Sequence, residues 1–301
     1  MARLSLRVAA QCACTRLYSA AVRAPGRERG VGACWRRVGA PSGAQVRRQG
    51  PNALRALSSG LRGEPGRGLI ELVHPGEWGI IGQPVGGFQM NMYVLFCERA
   101  KVAAFIDTGA TTEEELAPFV EFCTENEFEV THLLQTHAHI DHVAGLGMAK
   151  ERYPAATVHL HANDQLLYDT AYAQSKFFGV PLDHSLPPVD QALSDGDTVA
   201  VGGVELRVLH TPGHCAGHVC FVCDDSGFAF GGDLIFQGSI GRTDLPGSDP
   251  RLMETSVARV MAELDDKVHV LPGHMGATTI GLERRSNPLV RQLCDAAARR
   301  A

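Results

Sequence analysis

The segment Thr136-His137-Ala138-His139-Ile140-Asp141-His142 puts three imidazoles and a carboxylate within six residues. It lies where an apolar stretch of strand character, Val130 to Gln135, gives way to a helix pattern. Neutral imidazoles and carboxylates are the usual donors to first-row metal ions. Four of them crowded at a strand end are costly to desolvate unless a divalent ion holds them. Three later segments supply further donors: His214 in His210-Thr211-Pro212-Gly213-His214, Asp233 in Phe230-Gly231-Gly232-Asp233-Leu234, and His274 in Val270-Leu271-Pro272-Gly273-His274. Each follows an apolar, β-branched run and sits beside Gly or Pro, so each reads as a loop at a strand end. Such loops converge in space when their strands share a sheet edge. Seven donors exceed what one tetrahedral ion takes and fit two ions sharing a bridge. Unrelated core and surface histidines are the plainer reading of any one residue, but the joint pattern outweighs it.

In order and setting, His-x-His-x-Asp-His followed by His, Asp and His resembles the metallo-β-lactamase superfamily, over roughly Gly68 to Leu293. The resemblance implies an α/β fold, a four-layer αββα sandwich with metals at the sheet edges. It implies that His137, His139 and His214 hold a first metal and that Asp141, His142 and His274 hold a second, with Asp233 bridging them. Two divalent metals are the implied cofactor, zinc expected, with iron and manganese as alternatives.

The chain has two unlike parts. Met1 to Gly68 carries thirteen Arg, no Lys, no His and only Glu28 and Glu64 as acids, so its formal charge is +11. Residues 69–301 hold the other 15 basic and 31 acidic residues, for −16. An Arg-rich, acid-poor segment with short amphipathic stretches has the composition of an organelle transit peptide. Arg16-Leu17-Tyr18-Ser19 and Arg55-Ala56-Leu57-Ser58 both resemble sites cut by the mitochondrial processing protease. A mitochondrial address is expected, with a chloroplast as the alternative and an anion-binding basic tail as the bland one. The division expected is therefore a leader over 1–68 and one domain over 69–301. The acidity of the second part disfavours nucleic acid, and no run approaches the roughly 18 apolar residues of a membrane span. Nine Cys, three of them in the leader, do not read as a disulfide framework. Cys220 and Cys223 match Cys-x-x-Cys but lie in a strand, where positions three apart face opposite ways.

Strands are expected at Met90 to Phe96, Val102 to Ile106, Thr157 to Leu160, Val199 to Val201, Leu206 to Leu209, Val219 to Cys223 and Phe228 to Phe230, besides the one before Thr136. Thr111 or Thr112 caps a helix whose first turn holds Glu113, Glu114 and Glu115. Further helices are expected over His142 to Tyr153 and Asp164 to Phe178, and from Asp249-Pro250 and Asn287-Pro288. Alternation of strand and helix argues for a layered α/β domain.

Two bridged metals about 3.5 Å apart would hold a hydroxide between them and polarise a carbonyl, with Asp141 and Asp233 orienting the water. That chemistry suits an ester, thioester or amide, and a leaving thiolate is itself a good zinc ligand. Asp107, at a strand end, reads equally as a partner fixing a ligand imidazole and as a turn residue. His210 and His218 read as structural. His74, His132, His159, His161, His184 and His269 are not assigned to the site. Gly238 to Gly247, with Gly241-Arg242-Thr243-Asp244 inside it, and Glu283 to Pro288 are similar to the compact bacterial-type glyoxalase II family. That resemblance implies hydrolysis of S-2-hydroxyacyl glutathione to a 2-hydroxy acid and glutathione by a metal-bridging hydroxide. Arg242 would anchor a substrate carboxylate or tie down Asp244. The chain departs from the family at Cys215, at Met275-Gly276-Ala277, and in having only 27 residues after His274, too few for the helical domain of larger members. The persulfide dioxygenase family is similar too, and implies instead one Fe(II) on His137, His214 and Asp233 for reaction of glutathione persulfide with O₂. A purely structural metal site would be closed by four ligands, which the seven donors argue against.

Overall fold

The computed structural model describes residues 62–63, 70–74 and 77–300. The leader expected over 1–68 lies outside the described residues except for Arg62–Gly63, a two-residue strand β1 paired antiparallel with β2, Ile70–His74. The first sheet continues through β3 (Trp78–Val85), β4 (Met90–Cys97), β5 (Val102–Ile106), β6 (Glu129–Leu134), β7 (Thr157–His161) and β8 (Gln191–Leu193), in chain order. Pairing is antiparallel as far as β5 and parallel from β5 to β8. Parallel neighbours need crossovers, and helices supply them. These are α1 (Glu113–Glu125), α2 (Ile140–Val143) with α3 (Leu146–Arg152), and α4 (Gln165–Asp169) with α5 (Ala171–Phe178).

The second sheet is built from β9 (Thr198–Val201), β10 (Val204–His210), β11 (Val219–Cys223) and β12 (Phe228–Gly232). After the small hairpin of β13 (Ile235–Phe236) and β14 (Ser239–Ile240) comes α6 (Pro250–Glu263), which returns the chain to β15 (His269–Pro272), parallel to β12. The edge strand β16 (Thr278–Thr279) is followed by α7 (Ile280–Ser286) and α8 (Pro288–Ala298).

Strand alternation sorts the apolar residues into three clusters, and these define four layers. Met90, Met92, Val94 and Phe96 of β4 face α1 through α5, with Leu116 and Phe119 of α1 against them. Tyr93 and Leu95 of the same strand face the second sheet, meeting Phe221, Phe228 and Phe230. Cys220, Val222 and Ala229 face outward under Met253, Val257 and Val260 of α6. The result is an αββα sandwich. Each fully buried Phe in the middle cluster contributes about 1.5–3 kcal/mol relative to exposure. Cys223 lies in the inter-sheet cluster and Cys220 in the outer one, on opposite faces as strand geometry requires, and the six described cysteines are free thiols. Among the described residues no helix is long and apolar enough to cross a membrane.

Local departures from expectation have identifiable causes. The helix expected over His142 to Tyr153 is two short ones broken at Gly145, whose amide bonds Thr108 O at 2.8 Å and where a Cβ would lie 2.3 Å from Ala110 O. The helix expected over Asp164 to Phe178 breaks at Thr170, whose hydroxyl bonds Leu166 O and Leu167 O at 3.0 Å. Strand β3 was not expected, because Gly79 and Gly82 interrupt its pattern. Both are required by aromatic rings on β4: a Cβ at either would lie 2.3 Å from the ring of Phe96 or Tyr93.

Candidate metal centre

Every donor segment follows the C-terminal end of a strand. Asp107 follows β5, Thr136 to His142 follow β6, His214 lies after β10, Asp233 after β12 and His274 after β15. Parallel pairing of β5 with β6 and of β12 with β15 sets these ends side by side, with Gly232 opposite Pro272. The two sheets are tied at this edge by Val219 N to Thr136 O at 2.8 Å, Asn91 N to Gly273 O at 2.6 Å and Tyr93 Oη to Pro272 O at 2.7 Å.

All seven sequence-predicted donors meet there. His139 Nδ1 is 2.8 Å from His214 Nε2, and the donor atoms of His137, His139 and His214 lie within 4.8 Å of one another. Asp141, His142 and His274 form a second such trio, with Asp141 Oδ2 3.2 Å from His274 Nε2 and 3.8 Å from His142 Nε2. Asp233 reaches both trios. Its Oδ2 is 3.5 Å from His214 Nε2 and 3.6 Å from His274 Nε2, and its Oδ1 is 3.4 Å from His142 Nε2. Donors about 2.1 Å from one ion in tetrahedral directions stand roughly 3.4 Å apart, close to these spacings. His137 Nε2, His142 Nε2 and Asp233 Oδ1 are buried without a hydrogen-bond partner. Such atoms are expensive unless something fills the gap between them. The donor set fits divalent ions in both trios. The Asp141 and His274 side chains are 19% and 21% exposed while His137 and His142 are fully buried, so solvent reaches the centre from the second trio.

Partners outside the cluster set which nitrogen of each ring faces inward. A carbonyl only accepts, so His214 Nδ1 donates to Arg242 O at 2.9 Å and His274 Nδ1 to Phe88 O at 3.2 Å, and each Nε2 faces the cluster. The Asp107 carboxylate accepts from Thr136 N at 2.7 Å, from the Thr136 hydroxyl at 2.8 Å and from His142 Nδ1 at 3.0 Å. With its proton given to Asp107, the Thr136 hydroxyl accepts from His137 Nδ1 at 3.0 Å. Asp107 thus orients His142 directly and His137 through Thr136. It is at once the turn residue and the imidazole partner that the sequence reading set side by side, and its φ of 54° is a left-handed conformation. Asp233 N donates to His218 Nε2 at 2.9 Å, so the His218 proton lies on Nδ1 and goes to Thr211 Oγ1 at 2.8 Å.

The electrostatics call for a cation. Burial opposes ionisation of Asp233, but the charges of His142, His214 and His274 hold the carboxyl far below its usual range. Burial pushes His137 far down, with His142 the next cause, and brings His139 to about 3, with His214 the next cause. On His142 burial is outweighed by the carboxylates of Asp233, Asp107 and Asp141, which raise it. His274 is raised in the same way, by a hydrogen bond to Asp141 and the charge of Asp233 against its burial. Carboxylates that draw positive charge, beside imidazoles that refuse protons, suit bound metal.

Arg242 touches the donor cluster through its backbone. Its guanidinium forks onto Asp244 at 2.6 and 2.8 Å and is 58% exposed, which is the tie to the loop weighed above beside substrate anchoring. What it gives the centre is its carbonyl. His132 and His159 pair with each other at 3.0 Å, and His161 stacks on His210 at 4.0 Å. Sequence reasoning missed three supports. Asp164 accepts from Ala138 N, Gln174 bonds Ala138 O and Ile140 N, and Thr136 relays His137 to Asp107. Only the position of Asp164 at a strand end carried any signal.

Comparison with known proteins agrees with this fold. The profile described as the Metallo-beta-lactamase superfamily matches residues 85–274. Hydroxyacylglutathione hydrolase GloC of Haemophilus influenzae is 32% identical over 207 residues, 69% of this chain and 95% of that protein. The crystal structure of TTHA1623 in a di-iron-bound form is similar with a TM-score of 0.61 at 35% identity, covering 69% of this chain and 98% of that one. The structure of ETHE1 from Myxococcus xanthus has a TM-score of 0.56 at 25% identity, covering 71% of this chain and 87% of that one.

Proposed function

The chain belongs to the metallo-β-lactamase superfamily, a superfamily of metallo-hydrolases, and on that premise we propose that it hydrolyses the thioester of an S-2-hydroxyacyl glutathione, releasing a 2-hydroxy acid and glutathione. The observation that carries the reading is the pair of donor trios joined through Asp233. The similarity to GloC supports the thioester class. His137, His139 and His214 would hold one ion and Asp141, His142 and His274 the other, with Asp233 shared. When bound, such ions supply a water of lowered pKa and Lewis acidity toward a carbonyl oxygen.

The chain's own residues do the rest. Asp141 Oδ2 and the Asp233 carboxylate flank the solvent-reached side, where they can accept hydrogen bonds from an attacking water and fix its direction. Asp107 keeps His142 and, through Thr136, His137 from turning. To meet a substrate carboxylate, Arg242 would have to leave Asp244. We also propose zinc as the metal and, from the Arg-rich leader, import into a mitochondrion.

The test is metal analysis of anaerobically purified protein together with thioester cleavage in the absence of O₂. About two metals per chain and cleavage of lactoylglutathione are expected. One iron per chain with O₂ uptake on glutathione persulfide would overturn the reading in favour of the dioxygenase, whose ligands would be His137, His214 and Asp233.

A further inference from the structure

Asp164 is 1% exposed and stands just after β7, at the end of the one-turn 3-10 segment Ala162–Asp164. Its carboxylate spans two loops far from it in the chain. Oδ2 accepts from Ala138 N at 2.9 Å and from Cys215 Sγ at 3.0 Å, and Oδ1 accepts from Gly217 N at 2.5 Å. Ala138 lies between His137 and His139, and Cys215 follows His214. One buried carboxylate therefore fastens together the two loops that carry the three imidazoles of the first trio. Gly217 makes this approach feasible, since a Cβ there would lie 2.5 Å from Asp164 N and 2.8 Å from Asp164 Cγ. Gln174 of α5, also buried, bonds Ala138 O at 3.2 Å and accepts from Ile140 N at 3.1 Å, both within one loop. The three bonds of Asp164 go to neither Asp141, His142 nor His274, so what it sets is the separation of His137 and His139 from His214.

We propose that Asp164 is a positioning residue for the His137, His139 and His214 trio, setting its affinity for metal apart from that of the Asp141, His142 and His274 trio. The proposal rests on the reading of the cluster as a two-ion site, but not on the identity of the substrate. All three partners of Asp164 are donors, two amides and a thiol, so only a carboxylate answers them all. In Asp164→Asn the amide nitrogen must point at one of those donors, and the two loops separate at that point. Loss of a partner that orients metal ligands typically weakens metal binding about 10–100-fold.

The test reads binding rather than turnover. Zinc affinity of the full chain is measured by chelator competition in two backgrounds, His274→Ala, which keeps the first trio intact, and His139→Ala, which keeps the second. Adding Asp164→Asn should weaken zinc about 10–100-fold in the first background and less than about threefold in the second. Equal losses in both, or none in the first, would overturn the proposal and make Asp164 a general fold residue. Should circular dichroism show Asp164→Asn unfolded, the same competition is run on Cys215→Ala and Cys215→Ser. The first should weaken the trio severalfold and the second, which keeps a donor, should restore it; no difference between them would overturn the proposal. Wild-type protein that binds no zinc would overturn the two-ion reading and this inference together, whereas zinc binding that is intact and indifferent to Asp164 overturns this inference alone.

Discussion

Gly273→Ala is the most discriminating single perturbation of the centre. Gly273 lies between β15 and His274, and its amide bonds Gly232 O at 2.8 Å. A Cβ there would lie 2.3 Å from Asp233 Oδ1 and 2.6 Å from His142 Cε1. Carbon and oxygen in ordinary contact stand about 3.3 Å apart, so roughly 1 Å must be found. Asp233 cannot retreat easily, because its amide is held by His218 Nε2 and its carboxylate lies between the two trios. Overpacking of this kind costs about 1–3 kcal/mol, and in a domain of this size each kcal/mol lowers Tm by roughly 2–4 °C. The catalytic cost should be larger than the stability cost, since a 1 Å displacement of a reacting group costs about 100-fold. Gly87→Ala is the control, because nothing lies within 4 Å of a Cβ at Gly87. The assay is kcat and KM on lactoylglutathione, with metal content and Tm of both variants. The expected result is about a 100-fold fall in kcat for Gly273→Ala, a modest fall in Tm, and wild-type behaviour for Gly87→Ala. Full activity and full metal content in Gly273→Ala would refute the claim that Asp233 is shared at that position.

Three further outcomes are expected. Thr136→Val removes the hydroxyl between His137 Nδ1 and Asp107, so metal affinity should fall about 10–100-fold by chelator competition while the fold, read by circular dichroism, persists. Arg242→Ala should leave KM for lactoylglutathione within about twofold, because the guanidinium is exposed and already paired and the carbonyl that receives His214 is unchanged; a large rise in KM with kcat kept would instead show that the guanidinium leaves Asp244 for the substrate. Burial lowers His159 and His161 to about 4, with the neighbouring His132 and His210 as the next causes. The unfolded chain takes up protons that the folded chain refuses, so stability is full above pH about 6.5 and falls as pH drops toward about 4. The midpoint of urea unfolding should follow that window, and a His159→Gln variant whose pH dependence matches the wild type would contradict the assignment.

How much could be read beforehand differs between donors and their supports. The seven donors announce themselves because metal-binding residue types are few, four of them crowd into His137 to His142, and the other three each stand beside Gly after an apolar run, as at Pro272-Gly273-His274. The middle strands were equally plain, since Met90 to Phe96, Asn91 excepted, and Val219 to Cys223 are apolar on both faces, as strands buried between layers must be. Strand β3 was hidden because its glycines answer to rings of Phe96 and Tyr93 on another strand, which no local pattern reveals. The break at Gly145 was hidden for the same kind of reason, being a close approach to Thr108 and Ala110. Asp164 and Gln174 resemble ordinary polar residues at a helix start and on a helix, and only their buried bonds to the Ala138 loop set them apart.

Residue order dictates which groups can act as donors and that each ends a strand, because periodicity and turn chemistry are local properties of the chain. Packing of the two sheets across a shared apolar layer decides what locality cannot. It brings His142 and Asp233 to 3.4 Å and turns Nε2 of His137, His142, His214 and His274 inward. Those distances and tautomers come from hydrogen bonds between segments remote in the chain, and such bonds exist only once the core has closed.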